Sequence, residues 1–312
     1  MSEANILQDG HLEIKEHSLT KYLIFKRLCE GLKFIENKFN YTIFDCFAGS
    51  GKCILKETGE FKDCCILIAR KTLKDETQIY GIEKHPKVFS KLKYYMKNYP
   101  NVYLYNDDCN KIIPYFETLI KKDKFIKPYP KLFILDSWAF ESKWDTLNYL
   151  SKQPRVDLLI NFNVFNFHRN WNSSFNNPSW NVKKLEEFIG HSKEGIFEKF
   201  EEKGKVPPTR QCVEYYIDRI KNELNYEYVG GMLIRQKIKG GPLYYWIFAS
   251  HHIVPTKIIR DIMCKIYFGS RKEGNGISIK NRDIYYPINK FIIDDYCGYK
   301  KGRLCNFNDD YF

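Results

Sequence analysis

Asp45-Cys-Phe47-Ala48-Gly49-Ser-Gly51 joins a carboxylate to two glycines one residue apart, directly after the apolar run Tyr41-Thr-Ile-Phe44. Glycines at such a turn let a ligand approach bare backbone without meeting a Cβ, and the N–H groups presented there suit a nucleotide. Glu83 closes a second apolar run, Gln78-Ile-Tyr-Gly-Ile82, and lies 38 residues after Asp45. A carboxylate at that place can accept hydrogen bonds from both ribose hydroxyls of an adenosine. Asp108 and Cys109 follow the run Val102–Tyr105 and offer an acceptor for an exocyclic amine beside a soft flank for its ring. Asp136, Ser137 and Trp138 follow Lys131–Leu135, where a polar group can hold the acceptor of a transferred group and take up charge developing on it. Asp136 is the residue best suited to that work. Phe140, Asn161, Phe162 and Arg210 are the candidates for holding the acceptor molecule.

These residues share a position in the pattern. Five strand-like runs, including Val156–Phe162, each end in a polar residue, with helix-length intervals between them. Any one acid at a strand end is ordinary in an open α/β sheet, because the loop beyond it is solvated. The ordered set is stronger, since ligands of open α/β sheets bind at the carboxyl ends of the strands and all of these ends converge on one crevice. Upstream, residues 11–39 have helical apolar spacing, with His17 and Lys21 one turn apart on what reads as a solvated face, though both could reach the crevice. Lys52–Glu60 reads as a small hairpin that would draw the helix over 63–73 away from the glycine turn. Residues 163–210 read as an insertion whose first aromatics, from Phe165 to Trp171, could either stack on a planar substrate or cover the crevice. Arg210–Glu223 has helical spacing. Tyr226–Lys239 and Pro242–Ser250 form an expected strand pair around Gly240-Gly241, closed by His251 and His252, which face opposite ways and make a poor metal pair.

The acid before the glycines, with no third glycine two residues on, resembles motif I of Rossmann-like methyltransferases, whose cofactor is S-adenosylmethionine. A wider resemblance is to the three-Cys-motif partner proteins. It lies in Asp45–Gly51, Ile82-Glu83, Asp108-Cys-Asn110, Asp136, Leu159–Phe162 and Gly241–His252, spanning roughly residues 41 to 266. The resemblance implies an α/β fold of the Rossmann-like class I methyltransferase type. Its central sheet would be mostly parallel with an antiparallel C-terminal strand, plus an N-terminal helix and an inserted helical segment. It also implies a partner protein carrying a three-cysteine motif. Asp45, Phe47, Ala48, Gly49, Gly51, Glu83, Asp108 and Cys109 would hold S-adenosylmethionine, with Asp136, Ser137 and Trp138 at the catalytic position. Ser137 and Trp138 stand where the family has Pro-Phe, so the prolines that stiffen this loop in base-amine methyltransferases are absent. The expected organisation is an N-terminal helical extension over 1–40, a methyltransferase-like domain over 41–266 with its insertion at about 163–210, and a basic extension over 267–312.

The composition of the 312 residues, 44% hydrophobic and 16% aromatic, suits one large α/β domain with additions. No apolar run approaches the length of a bilayer span, and Met1-Ser-Glu-Ala-Asn5 has no leader pattern, so no membrane association and a cytoplasmic location are expected. Most of the ten cysteines, Cys46, Cys53, Cys64, Cys65, Cys109, Cys212 and Cys264 among them, sit in apolar or strand-end contexts and are expected as free thiols. Cys297 and Cys305 flank seven residues in an arrangement unlike a zinc knuckle or ribbon, and no metal is expected. A net charge of +12 favours polyanions, and the basic groups at 121–131 and 265–282 make RNA or DNA an expected partner; coding bias is the competing source of such a composition. Three functional readings stay open: a methyltransferase acting on a base amine, a non-catalytic cofactor-pocket module assisting a three-cysteine protein, and another enzyme of an adenosine ligand.

Overall fold

The described chain begins as two short strands, β1 (Asn5–Ile6) and β2 (Leu12–Ile14), and a helix α1 (His17–Ile35). The helix expected over 11–39 is therefore shorter, because Leu12–Ile14 pairs in parallel with β4 (Lys52–Leu55) instead of coiling. The computed structural model describes residues 5–35, 41–115, 129–176, 180–200, 209–235, 241–268 and 288–293. Much of the basic clusters and all of Cys297–Cys305 lie outside these residues.

After β3 (Thr42–Asp45), the expected hairpin forms from β4 and β5 (Phe61–Asp63), and with β1 and β2 it makes a four-stranded sheet in the order β1-β2-β4-β5. Helix α2 (Cys65–Thr72) follows at once. It is not drawn away from the glycine turn: Cys64 N–H donates to Gly51 O at 2.9 Å, closing the hairpin base and returning the chain to where it left. The alternating units β6 (Gln78–Ile82), α3 (Pro86–Met96), β7 (Val102–Tyr105), α4 (Cys109–Ile112), β8 (Lys131–Leu135), α5 (Trp144–Ser151) and β9 (Val156–Phe162) come next. Helices α6 (Val164–Asn176), α7 (Trp180–Ile189), α8 (Lys193–Lys199) and α9 (Thr209–Asn222) lead to β10 (Tyr228–Arg235), β11 (Pro242–Ser250), α10 (Ile253–Phe268) and β12 (Lys290–Ile293).

The large sheet has the order β12-β10-β11-β9-β8-β3-β6-β7. Strands β7, β6, β3, β8 and β9 are mutually parallel, and β11 lies antiparallel between β9 and β10. This is the sheet of a Rossmann-like class I methyltransferase fold. The strand order reverses at β3, with β6 and β7 on one side and β8 and β9 on the other, which opens a crevice beyond the strands' carboxyl ends.

Strands buried on both faces are continuous apolar runs, and β3 and β9 are buried at every residue. Successive side chains feed opposite layers. Phe44, Tyr80, Phe133 and Leu158 meet Phe167, Trp171, Phe188 and Tyr216 on one face, so the 163–210 segment shares the main core. Ile43, Ile79, Leu132 and Leu159 meet Leu28, Ile66 and Met263 on the other. Within the first layer, Tyr103, Tyr80, Phe44 and Phe133 stack across four parallel strands with centroid spacings of 4.9, 4.7 and 4.3 Å. The eight described cysteines are buried and unbridged. No helix among the described residues is long and apolar enough to cross a membrane.

Candidate functional site

The crevice at the switch point has a volume of about 480 Å³, within the range that holds cofactor-sized ligands. Its floor is the glycine turn. Gly49 and Gly51 have φ of +61° and +77°, a region L-residues avoid, and a Cβ on Gly49 would come within 2.9 Å of Leu12 Cδ1. Phe47, Ala48 and Gly49 line the crevice, whereas Gly51 packs against Leu92 and Tyr95 and serves the turn itself.

Glu83 leaves the end of β6 toward that turn. Its Oε2 accepts the Gly49 N–H at 3.2 Å and its Oε1 accepts the His85 N–H at 2.7 Å. Burial pushes its pKa up, and those two backbone donors oppose the shift. Asp108 caps α4, its Oδ1 accepting from both Asn110 N and Asn110 Nδ2 at 2.9 Å. Asp107, Asp108 and the buried Cys109 all line the crevice. The Asn110 amide also donates to Glu141 O at 2.7 Å, and its oxygen accepts the Lys143 N–H at 3.0 Å, tying this end to the loop after β8.

Asp136, at the end of β8, is where the N-terminal helix enters the site. Lys21 Nζ lies 2.5 Å from Asp136 Oδ2, with both side chains nearly buried. Lys21 is therefore no solvated residue: α1 lies on the sheet and turns this ammonium inward. Burial alone would lower its pKa, but the Asp136 carboxylate outweighs that and holds it above the ordinary lysine value. His17, one turn earlier, is half-buried and held down to about 4 by burial and by Lys21. The other Asp136 oxygen, Oδ1, accepts from Asn161 Nδ2 at 3.0 Å.

Other acceptor candidates fall differently. Trp138 is exposed and lines the crevice. Phe140 reaches the crevice wall but is buried against Phe188 at 4.8 Å, which denies a substrate access to its ring faces. Ser137 is buried with its Oγ unpaired. Asn161 braces Asp136 and the Ser137 carbonyl, the latter at 3.2 Å, and does not line the crevice. Phe162 is a core residue packed on Phe167, Phe188 and Tyr216, because the last residue of β9 still alternates into the layer beneath. Arg210 lies in the first turn of α9, bonded to Glu214 at 2.7 Å, and is not part of the crevice lining. Of the aromatics from Phe165 to Trp171, Phe167 and Trp171 are core and only Phe165 faces outward.

Sequence reasoning missed the wall made by Ile6, Leu12 and Ile14, and the cations Arg169 and Lys184 at the mouth. The apolar alternation of Leu12-Glu-Ile14 is a short strand signal that the longer helical pattern obscured. Arg169 and Lys184 had no local signal.

Asp45, at the end of β3, is buried and reaches the crevice lining, its carboxylate accepting the backbone N–H groups of Phe47 and Ile66. Burial and the nearby Asp136 carboxylate push it up to about 7. Asp157, near the start of β9, is likewise pushed up to about 7 by burial, opposed by bonds from Ser250 and Tyr41. The unfolded chain releases these protons near 3.8, while the folded chain keeps them to about 7. Stability contributed by the neutral acids is thus lost as pH rises through that window, at roughly 1.4 kcal/mol per pH unit for each group. Urea unfolding of Asp157→Asn should show a dependence between pH 5 and 7 shallower by about one such unit than the wild type. Identical slopes would mean that Asp157 ionises normally in the folded protein.

Comparison with protein-family models gives no match, and comparison with curated proteins gives none. Among solved structures, a Legionella pneumophila protein of the DUF519 family model is similar at 11% identity and a TM-score of 0.47, over 80% of this chain and 89% of that one. A precorrin-6y C5,15-methyltransferase from Geobacter metallireducens is similar at 11% identity and 0.37, over 78% and 96%. P. horikoshii TYW2 in complex with MeSAdo is similar at 14% and 0.34, over 73% and 62%. The strand order of the large sheet itself defines the fold.

Proposed function

We propose that this chain is an S-adenosylmethionine-dependent methyltransferase acting on an amine of a nucleic-acid base, in association with a three-Cys-motif partner protein. The observation that carries this reading is the convergence of Glu83 on the Gly49 N–H and of Asp136 on the same crevice, from either side of the strand-order reversal. The residues fit the cofactor: the glycine turn leaves a cradle that a Cβ would fill, and apolar walls flank carboxylates at both ends. When bound, S-adenosylmethionine supplies an electrophilic methyl carbon on a sulfonium.

The chain's own groups do the rest. Glu83 takes the ribose hydroxyls, and Asp107 or Asp108 takes the adenine amine. Asp136, fixed by Lys21 and Asn161, accepts a hydrogen bond from the acceptor amine through a remaining lone pair and offsets the positive charge that grows on its nitrogen. Trp138 stacks on the base.

Two observations favour a second reading, the non-catalytic pocket module. Both Asp136 oxygens already have donors, and Ser137-Trp138 lacks the usual prolines. Radiolabelled methyl transfer to total RNA, denatured DNA and protein, with calorimetric S-adenosylmethionine binding, separates the two. Label on nucleic-acid base amines is the expected result. Binding without transfer, with or without added three-cysteine protein, would favour the module, and no binding would sink both.

A further inference from the structure

The loop after β8 runs Asp136-Ser-Trp-Ala-Phe140 without a proline, yet three asparagines from the end of β9 and the start of α6 secure it. Asn161 Nδ2 holds Asp136 Oδ1 and the Ser137 carbonyl, as described. Asn163 Nδ2 and Asn166 Nδ2 both donate to the Trp138 carbonyl, at 3.1 and 3.0 Å. Two amides on one carbonyl leave that peptide little freedom to rotate, and Phe140 completes the turn in the left-handed region at φ +49°. Asn163 has a second duty, its Oδ1 accepting the Asn166 N–H at 2.9 Å as the cap of α6.

Trp138 is 41% exposed, a large ring partly open to solvent at the crevice. Phe165, adjacent to Asn166, is 55% exposed, and Arg169 lies one helical turn beyond Phe165 and lines the same crevice. Exposed rings beside a guanidinium are what successive unpaired bases and their phosphates stack and pair on. A duplex would bury those base faces within its own stack.

We propose that Asn163 and Asn166 are positioning residues, which hold Trp138 at the crevice mouth as a stacking platform for a single-stranded nucleic-acid acceptor. This rests on the reading of the crevice as a base-amine methyltransferase site. The asparagine amides do what prolines do elsewhere: they remove the loop's freedom before the acceptor arrives, so that ordering it costs less on binding.

Aspartate substitution separates this role from a structural one. Asn163→Asp keeps the cap acceptor, and an acid at the cap or in the first turn suits the helix dipole at either position. Each substitution replaces the donor facing the Trp138 carbonyl with an acceptor. The probe is a fluorescein-labelled, single-stranded ten-nucleotide oligoadenylate, read by anisotropy and by quenching of tryptophan emission, with Trp138→Phe to assign the signal. Asn163→Asp and Asn166→Asp should each weaken oligonucleotide binding about tenfold and reduce the quenching. Calorimetric S-adenosylmethionine binding should match the wild type in both variants; Asn163→Asp should also keep the wild-type melting temperature, whereas Asn166→Asp, which places an acid where Asn166 is 3% exposed, should melt lower.

Wild-type oligonucleotide affinity and quenching in both variants would overturn the positioning role. Unchanged affinity in Trp138→Phe and Trp138→Ala alike, or tighter binding of the matching duplex, would overturn the platform. Failure of the wild type to bind S-adenosylmethionine would remove the methyltransferase reading and with it the acceptor assignment, a result independent of the oligonucleotide titration.

Discussion

Glu83→Ala is expected to abolish calorimetrically detectable S-adenosylmethionine binding while leaving the protein folded. A carboxylate shared between two ribose hydroxyls makes two charge-assisted hydrogen bonds of roughly 1.5–3 kcal/mol each, so its loss weakens binding on the order of a hundredfold to ten-thousandfold. The carboxylate stands ready for that exchange, because in the free protein it accepts from Gly49 N at 3.2 Å and His85 N at 2.7 Å rather than from a side-chain cation. Truncation frees two backbone N–H groups at a crevice where water can replace the carboxylate, and it also removes a partly buried carboxyl that burial already disfavours. A melting temperature within a few degrees of wild type is therefore expected. Glu83→Gln should lie between the two, keeping one acceptor oxygen without the charge. Full binding by the alanine variant would move the adenosine away from the end of β6 and overturn the cofactor assignment.

Asp136→Asn should remove methyl transfer by a factor of about a hundred or more while sparing cofactor binding, as loss of one preorganised charge at a reacting centre does. It should also destabilise the fold. The Lys21 ammonium, buried beside Asp136, would keep its charge and lose its counter-ion, and breaking a buried pair from one side costs about 3–5 kcal/mol. The double variant Lys21→Met with Asp136→Asn removes the stranded charge, so thermal stability should return while transfer does not. If transfer returned together with stability, Asp136 would be a structural partner of the helix. Normal transfer by Asp136→Asn alone would place the acceptor elsewhere in the crevice.

The five parallel strands and the crevice at their carboxyl ends were legible because each signal was local. A continuous apolar run, a Gly-x-Gly turn and an acid at a strand end are all readable within about ten residues. Asp45, Glu83, Asp108 and Asp136 came from those signals. The misplaced residues depended on register and on distance along the chain. Phe162 reads as a strand end facing the loop, yet one more step of alternation buries it. Arg210 sits on a helix whose docking no local pattern specifies. Lys21 pairs with a residue 115 positions away, and its helix face looked solvated because the acid that neutralises it lies on the fourth parallel strand. The N-terminal strands were hidden since β1 and β2 are short and find their partner, Lys52–Leu55, in a hairpin that is itself an addition to the sheet.

That small sheet has a thermodynamic corollary. Ile6, Leu12 and Ile14 form part of the wall around the crevice, and Leu12 N–H donates to Ser50 Oγ at 3.2 Å. A molecule that binds only when this wall is in place favours the closed wall by RT ln(1 + [L]/Kd). Amide protons of β2 should then exchange more slowly in step with crevice saturation, so these strands report occupancy without any label on the ligand.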